Sequence, residues 1–220
     1  MALINQMIDH TFLKPFGTKE DIDTLLDEAL TYQFKSVCVH PTWVTYAAES
    51  LKKSEVLVCT VIGFPLGAST TRTKVFETED ALRNGADEID MVLNVGWVLE
   101  GHYDKVEEEI QRIKEVCGLK VLKVILETCY LDAEQIARAT EAAVKAGADF
   151  VKTSTGFGTG GATLEAVTIM VKHAQGRGVK ASGGVKTAED VQKMVDLGAT
   201  RIGTSSGVSL VQGKTAQTDY

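Results

Sequence analysis

Ala146-Gly147-Ala148-Asp149-Phe150-Val151-Lys152-Thr153-Ser154-Thr155-Gly156 reads as one complete junction of a repeating β-α chain. Gly147 closes a helical pattern, a short apolar run follows, and Gly156 opens the next turn. The same helix stop recurs as Asn84-Gly85-Ala86-Asp87 and as Leu197-Gly198-Ala199-Thr200, each leading into an apolar run. Working outward, short apolar runs alternate with longer amphipathic segments along the whole chain. Strands are predicted at residues 7–10, 36–40, 56–62, 88–93, 120–127, 149–153, 178–182 and 201–204. Apolar spacing near 3.6 predicts helices at 19–32, 43–52, 72–84, 103–117, 132–146, 163–175 and 187–197.

Eight such units in 220 residues predict the α/β class, as a single-domain (β/α)8 TIM barrel over residues 1–220. The alternative is an open doubly wound sheet. Only three prolines occur and no Ser/Gly-rich linker divides the chain, so no domain boundary is expected. The tail 213–220 reads from composition as a short flexible extension.

Hydrophobic residues make up 44% and charged residues 24%, enough for one well-buried core. The formal charge of -7 argues against nucleic acid as a partner, since that needs a basic face. No run approaches a membrane span and the N-terminus lacks a secretion pattern, so a soluble protein with no membrane partner is expected. Cys38, Cys59, Cys117 and Cys129 are far apart and mostly sit in apolar runs, as reduced cysteines do. That usage fits a cytoplasmic location. His10, His40, His102 and His173 show no ligand spacing, so no metal site and no cofactor are expected.

Lys152 and Lys180 lie inside apolar runs that are each followed by a glycine turn. A buried lysine must pair its charge, lose it, or use the amine as a nucleophile, and a second ammonium nearby favours the neutral amine. Alternation along 88–94 puts Asp90, Val92 and Asn94 on one face, and along 120–127 it does the same for Lys123, Ile125 and Glu127. If those faces point inward, Asp90 and Lys123 meet Lys152 and Lys180 at the barrel centre. Asp90 is then a candidate for proton transfer, with Lys123 and Glu127 as network members. The competing reading is a structural ion network in which Asp90 and Glu127 satisfy the two lysines.

Gly183-Gly184-Val185 follows the seventh run, and Gly203-Thr204-Ser205-Ser206-Gly207 spans the eighth and its turn. In a barrel these loops and a short following helix make an anion pocket suited to phosphate, with Lys186 available to add charge. Tight turns alone would also explain the glycines. Gly156-Phe157-Gly158-Thr159-Gly160-Gly161 supplies a flexible loop directly after Lys152 that is able to close over a ligand.

The strings Glu88-Ile89-Asp90-Met91-Val92-Leu93-Asn94, Phe150-Val151-Lys152-Thr153-Ser154-Thr155-Gly156-Phe157, Lys180-Ala181-Ser182-Gly183-Gly184-Val185 and Gly203-Thr204-Ser205-Ser206 resemble the deoxyribose-phosphate aldolases. Ile8-Asp9-His10-Thr11 and Cys38-Val39-His40-Pro41 extend the resemblance, which covers essentially the whole chain in family order. It implies a metal-free class I lyase that cleaves 2-deoxy-D-ribose 5-phosphate to D-glyceraldehyde 3-phosphate and acetaldehyde, in deoxynucleoside catabolism. Lys152 would form the Schiff base, with Lys180 and Asp90 tuning it and moving protons. Gly156, Gly183, Gly184, Gly203, Ser205 and Ser206 would bind the phosphate. Some members carry lysine where this chain has Phe157, so that loop is expected to act through its backbone. The resemblance also implies a homodimer and a terminal tyrosine, here Tyr220, that reaches the site.

Other classes leave distinct signatures. A phosphate-binding isomerase or flavin enzyme would share the late loops without needing paired lysines. A silent sugar-phosphate sensor would not need Asp90, Lys152 and Lys180 together. A metal-dependent aldolase would lose activity with chelator.

Overall fold

Eight short parallel strands close on themselves in chain order, each returning through a helical crossover. The structure is a computed structural model and describes residues 4–214. The strands are β1 (Ile8–Phe12), β2 (Ser36–Val39), β3 (Leu57–Ile62), β4 (Glu88–Val92), β5 (Val121–Ile125), β6 (Phe150–Lys152), β7 (Gly178–Ser182) and β8 (Arg201–Thr204). The helices are α1 (Lys19–Tyr32), α2 (Val44–Leu51), α3 (Thr71–Arg83), α4 (Val95–Leu99), α5 (Tyr103–Cys117), α6 (Ala133–Lys145), α7 (Leu164–His173), α8 (Ala188–Asp196) and α9 (Gly207–Val211). β8 pairs with β1 through Ile8↔Ile202 and Asp9↔Gly203, which closes the barrel and excludes the open sheet.

Helix starts follow local chemistry. Thr18, Asp132 and Thr187 each accept from a backbone N–H three residues on, and Asp21, Gln135 and Asp190 reach back to complete the capping boxes. Outward-facing strand residues such as Val37, Ile89, Leu122, Val124, Val151, Val179 and Ile202 bury against the helices in one continuous core. A separate small cluster of Leu13, Cys38, Cys59 and Val61 lies on the β1–β3 side, with Phe64 packed against it. Gly178 is required by a close approach rather than by its dihedrals. A Cβ there would lie 2.2 Å from the Phe150 ring, over which the Arg201 guanidinium sits at 5.3 Å.

Several boundaries differ from the sequence reading. Pro41 starts a 3-10 turn (Pro41–Trp43) before α2, because proline suits a first turn whose N–H groups have no partner. β1 runs to Phe12 rather than stopping at His10. β5 stops at Ile125, since Glu127 adopts φ 54 and ψ 61 and cannot continue a strand. Asn94 does not extend the β4 face; its Oδ1 accepts from Trp97 N–H at 3.2 Å and caps α4, an element missing from the sequence reading. All four cysteines are free, and Cys38, Cys59 and Cys117 are buried.

One ion pair outside the barrel locks α3 to α5. Lys74 Nζ donates to Glu109 Oε2 at 2.7 Å and to the Val92 carbonyl at 2.9 Å, with both side chains fully buried. Burial pushes the Lys74 amine down and the Glu109 carboxyl up, and each partner opposes the shift in the other. Lys74→Met leaves Glu109 buried without its cation and is expected to cost about 3–5 kcal/mol of stability. Urea unfolding checks this, and the double variant Lys74→Met/Glu109→Leu is expected to recover most of the loss.

Candidate active site at the barrel centre

The closed register turns strand alternation into a charged layer. Asp90 on β4 lies beside Lys123 on β5, Ile125 beside Lys152 on β6, Lys152 beside Lys180 on β7, and Lys180 beside Arg201 on β8. Asp90 is the hub. Its Oδ2 accepts from Lys152 Nζ at 2.9 Å and from Lys180 Nζ at 2.8 Å, while its Oδ1 accepts from Lys123 Nζ at 2.8 Å. The sequence reading therefore placed these four side chains together correctly.

A second hub was missed. Asp9 on β1 accepts from Lys180 Nζ at 2.5 Å, from Arg201 Nη1 at 2.5 Å and from Ser36 Oγ at 2.7 Å. Glu88 accepts from Arg201 Nη2 at 2.9 Å and pairs with Lys123 at 2.6 Å. Alternation from Asp90 would have found Glu88 two residues earlier on the same face. Asp9 and Arg201 had no comparable signal, because each sits in a strand whose other interior residues are small or uncharged.

Burial alone would push the Asp90 carboxyl up, but Lys123, Lys152 and Lys180 outweigh it and hold it well below the usual carboxylate range. Asp9 behaves alike: burial opposes, and Lys180, Lys123 and Arg201 keep it ionised. Burial would lower the Lys180 amine, yet Asp9 and Asp90 hold it above the usual lysine value. Lys123 is likewise raised against the cost of burial, chiefly by Asp90. Three acidic side chains (Asp9, Glu88, Asp90) thus face four basic ones (Lys123, Lys152, Lys180, Arg201) in one buried network.

Two donor sets come within metal-binding distance among the described residues: Cys38, Cys59 and Asp90, and Asp9, Cys59 and Glu88. The Lys123 ammonium stands against both, 3.3 Å from Cys59 Sγ and within salt-bridge distance of all three carboxylates. The protein itself supplies the cation these donors face.

Glycine loops crowd the carboxyl ends of the late strands. Gly156, Gly183 and Gly184 all have positive φ, near 88°, 80° and 73°. A Cβ on Gly183 would lie 3.0 Å from Gly161 Cα and 3.7 Å from Gly156 Cα, so the turns after β6 and β7 meet. Gly203 is within β8, and Ser205 and Ser206 follow it, the latter as the first residue before α9. Lys186 lies at the start of the α8 turn, where its backbone N–H donates to Asp190. Glu127 does not join the lysines; its carboxylate accepts from the Thr155 hydroxyl and N–H. Across the mouth the Phe157 ring meets Phe64 edge-on at 5.4 Å. Lys152 itself is 2% exposed. Tyr220 lies outside the described residues, as does most of the 213–220 tail.

Strand-borne lysines against a shared carboxylate, beneath glycine turns, can form an imine with a carbonyl and move protons beside it. Known proteins are similar to this chain over nearly its whole length. Deoxyribose-phosphate aldolase 1 of Staphylococcus aureus (strain MSSA476) is 59% identical over 215 residues, covering 97% of each chain. Deoxyribose-phosphate aldolase 2 of Staphylococcus aureus (strain COL) is 58% identical over 217 residues, 98% of each. Among solved structures, the tetrameric deoxyribose phosphate aldolase from Aeropyrum pernix is 36% identical with a TM-score of 0.86, covering 95% of this chain and 89% of its own. The DeoC/LacD family aldolase model matches residues 3–213, and the chain belongs to that family.

Proposed function

We propose that the chain is a class I deoxyribose-phosphate aldolase, reversibly cleaving 2-deoxy-D-ribose 5-phosphate to D-glyceraldehyde 3-phosphate and acetaldehyde, with Lys152 as the Schiff-base residue. The observation that carries this assignment is the position of Lys152. Its amine touches one carboxylate oxygen of Asp90, an oxygen that Lys180 also claims. Lys152 is also the lysine that leads directly into the glycine loop proposed to cover a substrate.

The neutral amine attacks the C1 aldehyde, and loss of water gives the iminium. Removal of the C3 hydroxyl proton breaks the C2–C3 bond, with the electron pair flowing into the iminium to leave an enamine. Glyceraldehyde 3-phosphate departs, the enamine carbon takes a proton, and hydrolysis returns acetaldehyde and free Lys152. Asp90 bridges Lys152 and Lys180 through Oδ2 and supplies the proton path, with Lys180 as its charged end. Backbone N–H groups of Gly156, Gly183 and Gly184, with Gly203, Ser205 and Ser206, would take the phosphate and set C1 against Lys152. The chemistry needs no metal or organic cofactor in this scheme.

The substrates are small molecules, and no helix among the described residues is long and apolar enough to cross a membrane. The expected setting is cytoplasmic, in deoxynucleoside breakdown, and the expected assembly is a homodimer. The intact Asp90–Lys152–Lys180 set favours a working enzyme over a sugar-phosphate sensor.

Borohydride reduction in the presence of acetaldehyde is expected to leave a reduced adduct on Lys152, read by peptide mass mapping, and none in Lys152→Ala. An adduct on Lys180 instead would reverse the two assignments. Asp90→Asn is expected to lower kcat by about 10²- to 10⁴-fold, the usual range for a lost acid-base group, while the protein stays folded by circular dichroism. Deleting Tyr220 is expected to slow proton exchange at the enamine carbon, followed by deuterium uptake into acetaldehyde; unchanged exchange and turnover reject that role.

A further inference from the structure

Glu127 is a buried carboxylate that the scheme above leaves without a task. It is 3% exposed, and its partners among the described residues, Thr155 and the Cys129 thiol, are uncharged. Burying a carboxylate beside uncharged partners is costly and calls for a reason. Its backbone is also unusual: φ 54 and ψ 61 lie in the left-handed region, which a non-glycine residue adopts only when its surroundings impose it.

Both features serve one connection. The left-handed turn ends β5 and swings the side chain sideways to the loop that follows Lys152. There Thr155 N–H donates to Oε1 at 3.2 Å and to Oε2 at 3.4 Å, and the Thr155 hydroxyl donates to Oε2. Thr155 Oγ1 in turn accepts from Phe157 N–H at 3.0 Å. The loop is packed against the same carboxylate further on, since a Cβ at Gly158 would lie 3.2 Å from Glu127 Cδ. Glu127, Thr155, Phe157 and Gly158 also line a cavity of about 180 Å³ at the mouth, walled by Leu66 and Tyr130.

We infer that Glu127 is the positioning residue of the Schiff-base loop: by gripping Thr155 it fixes the Gly156 backbone for the substrate's phosphate and seats Phe157 at the mouth. The inference rests on the aldolase reading and adds to it a carboxylate that acts on the phosphate end without touching substrate. Gly156 lies between the two residues held, Thr155 directly and Phe157 through the Thr155 hydroxyl. Its orientation is therefore set by Glu127 rather than by the strand.

The test uses Glu127→Gly, which tolerates the left-handed backbone without strain and removes the side chain together with its carboxylate. Relative to wild type, kcat/KM for 2-deoxyribose 5-phosphate is expected to fall about tenfold or more, mainly through KM, as for a lost binding contact. For unphosphorylated 2-deoxyribose the fall is expected to stay within about threefold, with acetaldehyde trapping on Lys152 unchanged. Adding Thr155→Val to Glu127→Gly is expected to cause little further loss, because the two residues act as one unit. An equal fall for both sugars would make Glu127 a general prop of the fold and overturn the proposal, as would no fall for either. Failure of the wild-type protein to trap acetaldehyde sinks the aldolase reading, and this inference with it. Normal wild-type trapping with an unaltered sugar preference in Glu127→Gly sinks this inference alone.

Discussion

The site depends on one carboxylate, Asp90, that binds three lysine side chains inside a closed barrel. Bringing four basic side chains out of water is costly, and the attraction of well-placed carboxylates must offset that cost. Asp90 and Asp9 do so by sharing: each binds Lys180, and both lie within 4 Å of Lys123. Barrel closure makes the sharing possible. Only when β8 pairs with β1 does Asp9 come within reach of Arg201 and Lys180, nearly two hundred residues later in the chain.

The groups that do chemistry and the groups that grip the ligand sit on different kinds of backbone. Asp90, Lys152 and Lys180 lie on strands, where hydrogen-bonded neighbours on both sides hold the geometry. Among the proposed phosphate ligands, Gly156, Gly183 and Gly184 lie on glycine turns, where positive φ lets backbone N–H groups converge at close range. A reacting amine tolerates little misplacement, so a strand suits it. A phosphate must be admitted and released, so a loop suits that. Glu127 joins the two regimes, standing just past the end of β5 and holding the loop after β6.

The eight-unit rhythm was legible because glycine stops helices and short apolar runs mark strands buried on both faces. Alternation along 88–94 and 120–127 is enough to bring Asp90 and Lys123 to the centre. It failed at Asn94 and Glu127, where the strand had ended and side-chain parity no longer applied. Helix α4 escaped notice because five residues carry too little periodicity to distinguish a turn of helix from a loop. Asp9 and Arg201 were invisible for another reason: their meeting is a property of closure, and no local pattern reports which end residues a closed sheet brings together.

The departure from alternation at Glu127 changes what that side chain holds. Had β5 continued to residue 127, as simple alternation suggests, Glu127 would face the same interior as Lys123. Thr155 and the loop after β6 would then lose the side chain that holds them. The chain instead ends β5 at Ile125, takes a left-handed step at Glu127, and turns its carboxylate to Thr155. The backbone conformation of one residue thus decides where the loop that follows Lys152 is held.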